Sequence, residues 1–187
     1  MPHPLVPVRT ETHGVVIELA YASHNNIAGR PIYDFPHCLL HRDAERCLRQ
    51  AVDLAAQAGY RLKIFDAFRP HEAQVLLWES APDQAYVADP QIGSNHTRGT
   101  AIDLTLVDAQ GRELDMGTGF DDMTVQSHHF SEQVSPEAQA NRMLLLKIMR
   151  DAGFEHIDHE WWHYALPDHY ALIDSAALGD MSPMRKR

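Results

Sequence analysis

Cysteine is scarce. Cys38 and Cys47 are the only two in 187 residues, and they show none of the CxxC spacing of a thiolate zinc site. They fall on or near one predicted helix and read as buried thiols with no disulfide between them. Long apolar runs are missing too: none approaches the roughly 18–20 residues of a membrane span, so no membrane partner is expected. Positive charge is in deficit, with 16 Lys and Arg against 26 Asp and Glu. The resulting formal charge of −10 excludes nucleic acid or anionic lipid as a general partner. The one basic run, Met184-Arg185-Lys186-Arg187, reads as a solvated tail, frayed from about residue 181. The opening Met1-Pro2-His3-Pro4-Leu5-Val6-Pro7 has neither the charged n-region nor the apolar h-region of a signal peptide, which points to a cytoplasmic protein. No repeat, low-complexity tract or linker divides the chain, and residues 1–187 are expected to form one domain.

What is present is ordinary globular material, 44% hydrophobic and 22% charged, which is enough to build a core. Arg42 to Ala58 reads as a helix, with Ala44, Leu48, Ala51, Val52 and Ala55 on one stripe and Gly59 as its stop. Tyr60 to Ala67 reads as a strand in which Leu62 and Ile64 share a face. Pro70 is placed to open a helix through about Ser80, by its preset backbone angle and missing N–H. Ala101 to Val107 alternates, with Ile102, Leu104 and Leu106 on one face and Asp103 on the other. Ser135-Pro136-Glu137 opens a further helix whose expected buried stripe is Leu144, Leu145, Ile148 and Ala152, ended by Gly153. Phe154 to Leu166 is aromatic-rich and reads as extended. The short, regular βα spacing of a doubly wound sheet is missing, so the expected class is α+β: a small, mainly antiparallel sheet with packed helices.

Two segments carry the chemistry. His96 and Asp103 are separated by six residues, with Gly99 among them to turn the chain into the strand. Asp103 lies in an otherwise apolar strand, where an unpaired carboxylate would cost several kcal/mol and a cation would remove the difficulty. A local pair with Arg98 is the plain alternative. Glu160-Trp161-Trp162-His163 adds a second imidazole and a spare carboxylate. Residues three apart face opposite ways in a regular strand, so a bend near Trp161 is needed to bring both to one site. The two tryptophans would wall that site with low-dielectric surface. Three nitrogen and oxygen ligands with an open fourth position describe a catalytic zinc site, and a nearby glutamate suits a general base. Among 13 histidines other ligand choices stay open on spacing alone, and His128, His129, His156 and His159 are candidates for supporting groups.

Ser94-x-His96-x-x-Gly99-x-Ala101-x-Asp103, followed by Glu160-Trp161-Trp162-His163, resembles the D-alanyl-D-alanine dipeptidases, the VanX-type zinc peptidases related more distantly to D,D-carboxypeptidases and the zinc-binding hedgehog domain. The likeness extends to Tyr21-Ala22, Asn25-Asn26, Asp66-Ala67-Phe68-Arg69-Pro70 and Met116-Gly117-Thr118-Gly119-Phe120-Asp121, and so covers nearly the whole chain. The resemblance implies a hedgehog/D,D-peptidase-like zinc fold, one Zn2+ per chain on His96, Asp103 and His163, and Glu160 as catalytic base. It implies Arg69 as the group that stabilises the transition state, with Ser94, Tyr21 and Asp121 holding a small dipeptide, Asp121 at its free amino group. One departure is visible: the stretch between Trp78 and Ser94 looks shorter than in antibiotic-resistance members, which bears on the pocket rim. Two other readings compete. A murein D,D- or L,D-peptidase of the same superfamily would need export and an open groove, and neither an export signal nor a wall-binding module is present. A non-catalytic zinc-binding module would need neither Glu160 nor Arg69. The sequence carries no signature of a particular oligomeric state.

Overall fold

The computed structural model describes residues 3–81, 86–167 and 169–185. In chain order the elements are β1 (Leu5–Pro7), α1 (Thr10–His13), β2 (Val16–Ile17), β3 (Leu39–His41), α2 (Arg42–Gln57), β4 (Arg61–Asp66), α3 (His71–Ser80), β5 (Ala101–Val107), α4 (Pro136–Asp151), β6 (Glu155–Ile157) and β7 (Glu160–Ala165). Five strands form one sheet in the order β2-β4-β5-β7-β6, and β1 pairs with β3 in a separate ribbon. Among the described residues only β2–β4 is parallel, and the other strand pairs are antiparallel. The class is therefore the mixed α+β arrangement that the element pattern predicts. Among the described residues no helix is long and apolar enough to cross a membrane.

Local chemistry explains where the helices begin. The His41 Nδ1 accepts the Asp43 N–H at the start of α2, and Ser135 Oγ accepts the Ala138 N–H at the start of α4, with Pro136 at its first turn. Pro70 caps α3 from just outside it, with φ −58° and ψ 155°. Ala44, Leu48, Ala51 and Ala55 bury one side of α2 as the spacing predicts, while Val52 is half-buried. The stripe expected for α4 is buried at Leu145, Ile148 and Ala152, and it is wider than expected. Ala138, Arg142, Leu145, Leu146, Ile148 and Met149 turn inward, and Leu144 sits half-buried at the margin. An arginine reads as surface, so the i, i+4 ladder through Arg142 is invisible to an apolar-only count.

β5 occupies the middle of the sheet and all seven of its residues are buried. Ile102, Leu104 and Leu106 enter the main core with Leu62, Ile64, Leu48, Leu145 and Met149. The opposite face is buried as well, and over Asp103 itself Arg69 and His96 close at 3.6 and 3.2 Å. A smaller cluster of Leu5, Leu39, Phe68, Ile173 and Leu178 underlies the His96 loop. Gly99, at φ +70°, passes so close there that an added Cβ would stand 2.4 Å from Leu5 Cδ2. Both cysteines are free, Cys38 buried and Cys47 half-buried. Of the stretch expected to fray, residues 181–185 lie against the body: His37 Nδ1 donates to the Met181 carbonyl, and the Arg185 N–H bonds Asp34. Lys186 and Arg187 fall outside the described residues.

Candidate active site

Strand register places the acidic heart of the site. Asp103 on β5 is paired across the ladder with His163 on β7 and with Asp66 on β4. The β4–β5 ladder slips beside it, between Ile64 and Asp66, and one strand further out the β6–β7 ladder slips between His156 and Ile157. Such bulges re-aim side chains. The slip in β7 supplies the bend that the spacing of Glu160 and His163 requires: His156 pairs with Tyr164, and Ile157 then pairs with Glu160, passing over three β7 residues. Glu160 and His163 therefore both line one cavity, although an unbroken strand would separate them. Trp162 lines that cavity too; Trp161 does not, being turned inward to donate its Nε1–H to Thr118 Oγ1 at 2.9 Å.

The donor atoms of His96, Asp103 and His163 converge. His96 Nε2 lies 3.2 Å from Asp103 Oδ2 and 3.2 Å from His163 Nδ1, which is 3.0 Å from Asp103 Oδ1. Ligands held at ~2.0–2.1 Å around a tetrahedral ion stand about 3.3 Å apart, so the three donors fit one small divalent cation. His96 Nδ1 donates to the Ala67 carbonyl at 2.6 Å, which fixes the tautomer and leaves Nε2 free for a ligand. Burial opposes ionisation of Asp103, but the two imidazoles outweigh it and hold the carboxyl well below its usual range. Arg98, the local alternative, is not among the partners of Asp103.

Glu160 sits beside this cluster, its Oε2 3.9 Å from His163 Nδ1. Burial raises its carboxyl to about 7, opposed by His163 and reinforced by the charges of Asp103 and Asp121. Arg69 lies just past the end of β4, ahead of α3, as an arginine before proline should. A surface pair with Glu72, three residues further along the chain, is the plain alternative for Arg69, and it is not formed. The Arg69 Nε and Nη2 reach Asp66 Oδ2 at 2.9 and 2.8 Å, Nη1 donates to Gln74 Oε1 at 3.1 Å, and its guanidinium lies 4.8 Å from the centre of the Tyr21 ring. Three of its five N–H donors are engaged, and Nη2 also lies 3.6 Å from Asp103 Oδ2. Tyr33 holds Asp66 from the other side at 2.6 Å. Sequence reasoning passed over Tyr33 and Gln74, and it carried Asp66 only within a longer motif. A carboxylate ending an apolar strand, three residues before the arginine, was the available signal.

Asp121 adopts φ +62°, a left-handed conformation that aspartate tolerates better than most residues. Its Oδ1 accepts from Tyr21 Oη at 3.0 Å, while Oδ2 is buried with no partner and Asp121 faces the cavity. Burial lifts this carboxyl to about 7, with Arg69 opposing the shift. An acid whose folded pKa lies above its unfolded value loses stability as pH rises between the two, here from about 4 to 7. Asp121→Asn is therefore expected to stabilise the protein by roughly 3–4 kcal/mol at pH 8 and by little near pH 4. Urea midpoints at the two pH values check this, and a pH-independent difference would contradict it. Ser94 Oγ accepts the Thr97 N–H and approaches Gln74 Oε1 at 3.5 Å.

All eight residues singled out from the sequence line one cavity of about 350 Å³: Tyr21, Arg69, Ser94, His96, Asp103, Asp121, Glu160 and His163. Its rim includes Tyr86, Val87 and Ala88 from the segment that looks short, of which residues 82–85 fall outside the described residues. Of the four supporting histidines proposed, only His159 lines the cavity. His129 and His156 instead stack edge to face at 5.0 Å, and burial drives the His129 imidazole down to about 3, so it is neutral.

A sheet whose central strand and bulged neighbour bring two imidazoles and a carboxylate together, with a second carboxylate alongside, is the architecture of a metal-dependent hydrolase. The sequence profile of the family described as D-Ala-D-Ala dipeptidase matches residues 1–178, and the chain belongs to that peptidase family. It is 52% identical over 151 residues to the D-alanyl-D-alanine dipeptidase of Escherichia coli K12, covering 81% of this chain and 78% of the relative. It is 34% identical over 180 residues to the D-alanyl-D-alanine dipeptidase of Enterococcus faecium, covering 83% and 88%.

Proposed function

We propose that this enzyme is a zinc-dependent D-alanyl-D-alanine dipeptidase, with one zinc ion per chain held by His96, Asp103 and His163. The observation that carries the reading is the shared cavity, which joins a three-donor cation site and a buried glutamate to the partnerless Asp121 Oδ2. Two imidazoles and one carboxylate with a vacant position suit zinc in its catalytic role. When bound, such an ion supplies Lewis acidity, acidifying water and polarising a carbonyl.

The chain's own groups do the rest. Glu160 takes the proton of the attacking water and passes it to the leaving amine nitrogen. With its carboxyl raised to about 7, neither transfer runs far uphill near neutral pH. Arg69 donates its remaining Nη1–H toward the carbonyl oxygen as that atom gathers negative charge. Asp121 anchors the ammonium of the free N-terminus: Tyr21 occupies Oδ1 and leaves Oδ2 for the substrate. An acylated amine loses that ion pair, which confines activity to free dipeptides. Ser94 offers a hydroxyl to the dipeptide. The preference for D-residues is taken from the names of the relatives.

Metal content and hydrolysis of D-Ala-D-Ala, an acylated tripeptide and L-Ala-L-Ala test the proposal, before and after chelation. The expected result is about one zinc per chain, turnover of the free D,D-dipeptide alone, loss on chelation and recovery with zinc. Comparable cleavage of the acylated substrate would make the protein a murein peptidase. A zinc-loaded protein inert on all three would make it a binding module.

A further inference from the structure

The segment that carries Asp121 has no strand or α-helix of its own between Glu113 and Ser135, yet it must hold a strained carboxylate at a fixed place. Helix α4 grips both of its feet. On the incoming side Asn141 Nδ2 donates to the Asp115 carbonyl at 2.8 Å, and Arg142 Nε donates to the Met116 carbonyl at 2.7 Å. On the outgoing side Arg142 Nη1 donates to the His128 carbonyl at 2.7 Å, and Gln139 Nε2 donates to the His129 carbonyl at 2.9 Å. Arg142 alone spans the two feet. It is fully buried and, among the described residues, has no carboxylate within ion-pair distance. A buried guanidinium satisfied only by neutral acceptors is costly, and a lysine or apolar residue would fill a helix position more cheaply unless the fork itself is needed.

A second chain of bonds reaches the residue next to Asp121. Ser127 Oγ donates to the Asp122 carbonyl, so its partner Thr118 must donate to Ser127, at 2.9 Å, and Thr118 Oγ1 is then free to accept from Trp161 Nε1. The strand bearing Glu160 is thereby tied to the loop bearing Asp121. We propose that Arg142, acting with Thr118 and Ser127, is the positioning residue that holds Asp121 in the cavity, and so sets the discrimination between free and N-blocked dipeptides. This rests on the reading of Asp121 as the amine anchor.

The test compares Arg142→Met, Arg142→Lys, Ser127→Ala and Asp121→Asn with wild type in the zinc-loaded protein. For Arg142→Met the KM for D-Ala-D-Ala is expected to rise about tenfold or more, with kcat changed far less and zinc content unchanged. Preference over N-acetyl-D-Ala-D-Ala should shrink in the same direction as in Asp121→Asn. Lysine reaches one foot only and should fall between. Amide hydrogen exchange at residues 117–127 should quicken while that of β5 stays at the wild-type rate. If Arg142→Met fails to fold, Ser127→Ala, which cuts the bond beside Asp121, carries the same expectation at smaller size. Folded variants with unchanged KM and unchanged exchange would overturn the proposal. A wild type inert on the dipeptide would instead sink the functional reading, and the exchange rates would still decide whether Arg142 holds the loop.

Discussion

Replacing Glu160 with glutamine is expected to lower kcat on D-Ala-D-Ala by about 10²–10⁴-fold, the range that a positioned general base contributes. The substitution keeps the shape and polarity of the side chain and removes only its capacity to carry a proton. The three convergent donors of His96, Asp103 and His163 are untouched, so metal content should stay at the wild-type level. Steady-state kinetics with metal analysis on the same sample make the check. Turnover within tenfold of wild type would remove Glu160 from the reaction, and loss of the metal would recast it as a ligand.

Arg69→Lys should cost about 2.7–4 kcal/mol of transition-state stabilisation, roughly 10²–10³ in kcat, with a smaller change in KM. Charge is kept, but an ammonium cannot hold Asp66 through two nitrogens, reach Gln74 and still present donors to the substrate. Arg69→Met should go further and lower stability by about 3–5 kcal/mol, because Asp66 is left buried without its guanidinium, with the Tyr33 hydroxyl at 2.6 Å and His96 Nδ1 at 3.6 Å. Kinetics of the lysine variant and thermal unfolding of both separate the two contributions. A lysine variant with wild-type kcat would show that the guanidinium only props up Asp66.

Some of the site could be read residue by residue. The alternation of β5 put Asp103 opposite Ile102 and Leu104, and the Gly99 turn put His96 within reach of it. Those signals are local, confined to a few consecutive residues. Other features depend on pairing with distant chain. The register of β7 against β6 turns Glu160 and His163 to one side, and no run of residues within β7 announces a bulge. The short strands β1, β2 and β3 offer too few residues for periodicity to act on. Arg142 was absent from the expected stripe of α4 because only apolar residue types were counted there.

Chemical identity is a one-dimensional property, so the kinds of donor and acid, the helix starts at Arg42 and Pro136 and the alternating strand all followed from residue order. Aim and environment are not. Whether Asp121 keeps one oxygen unpaired, whether Arg69 turns to Asp66 rather than Glu72, and how far burial lifts two carboxyls toward neutrality were settled by contacts between segments up to a hundred residues apart. Desolvation and hydrogen-bond geometry exist only once those segments have packed.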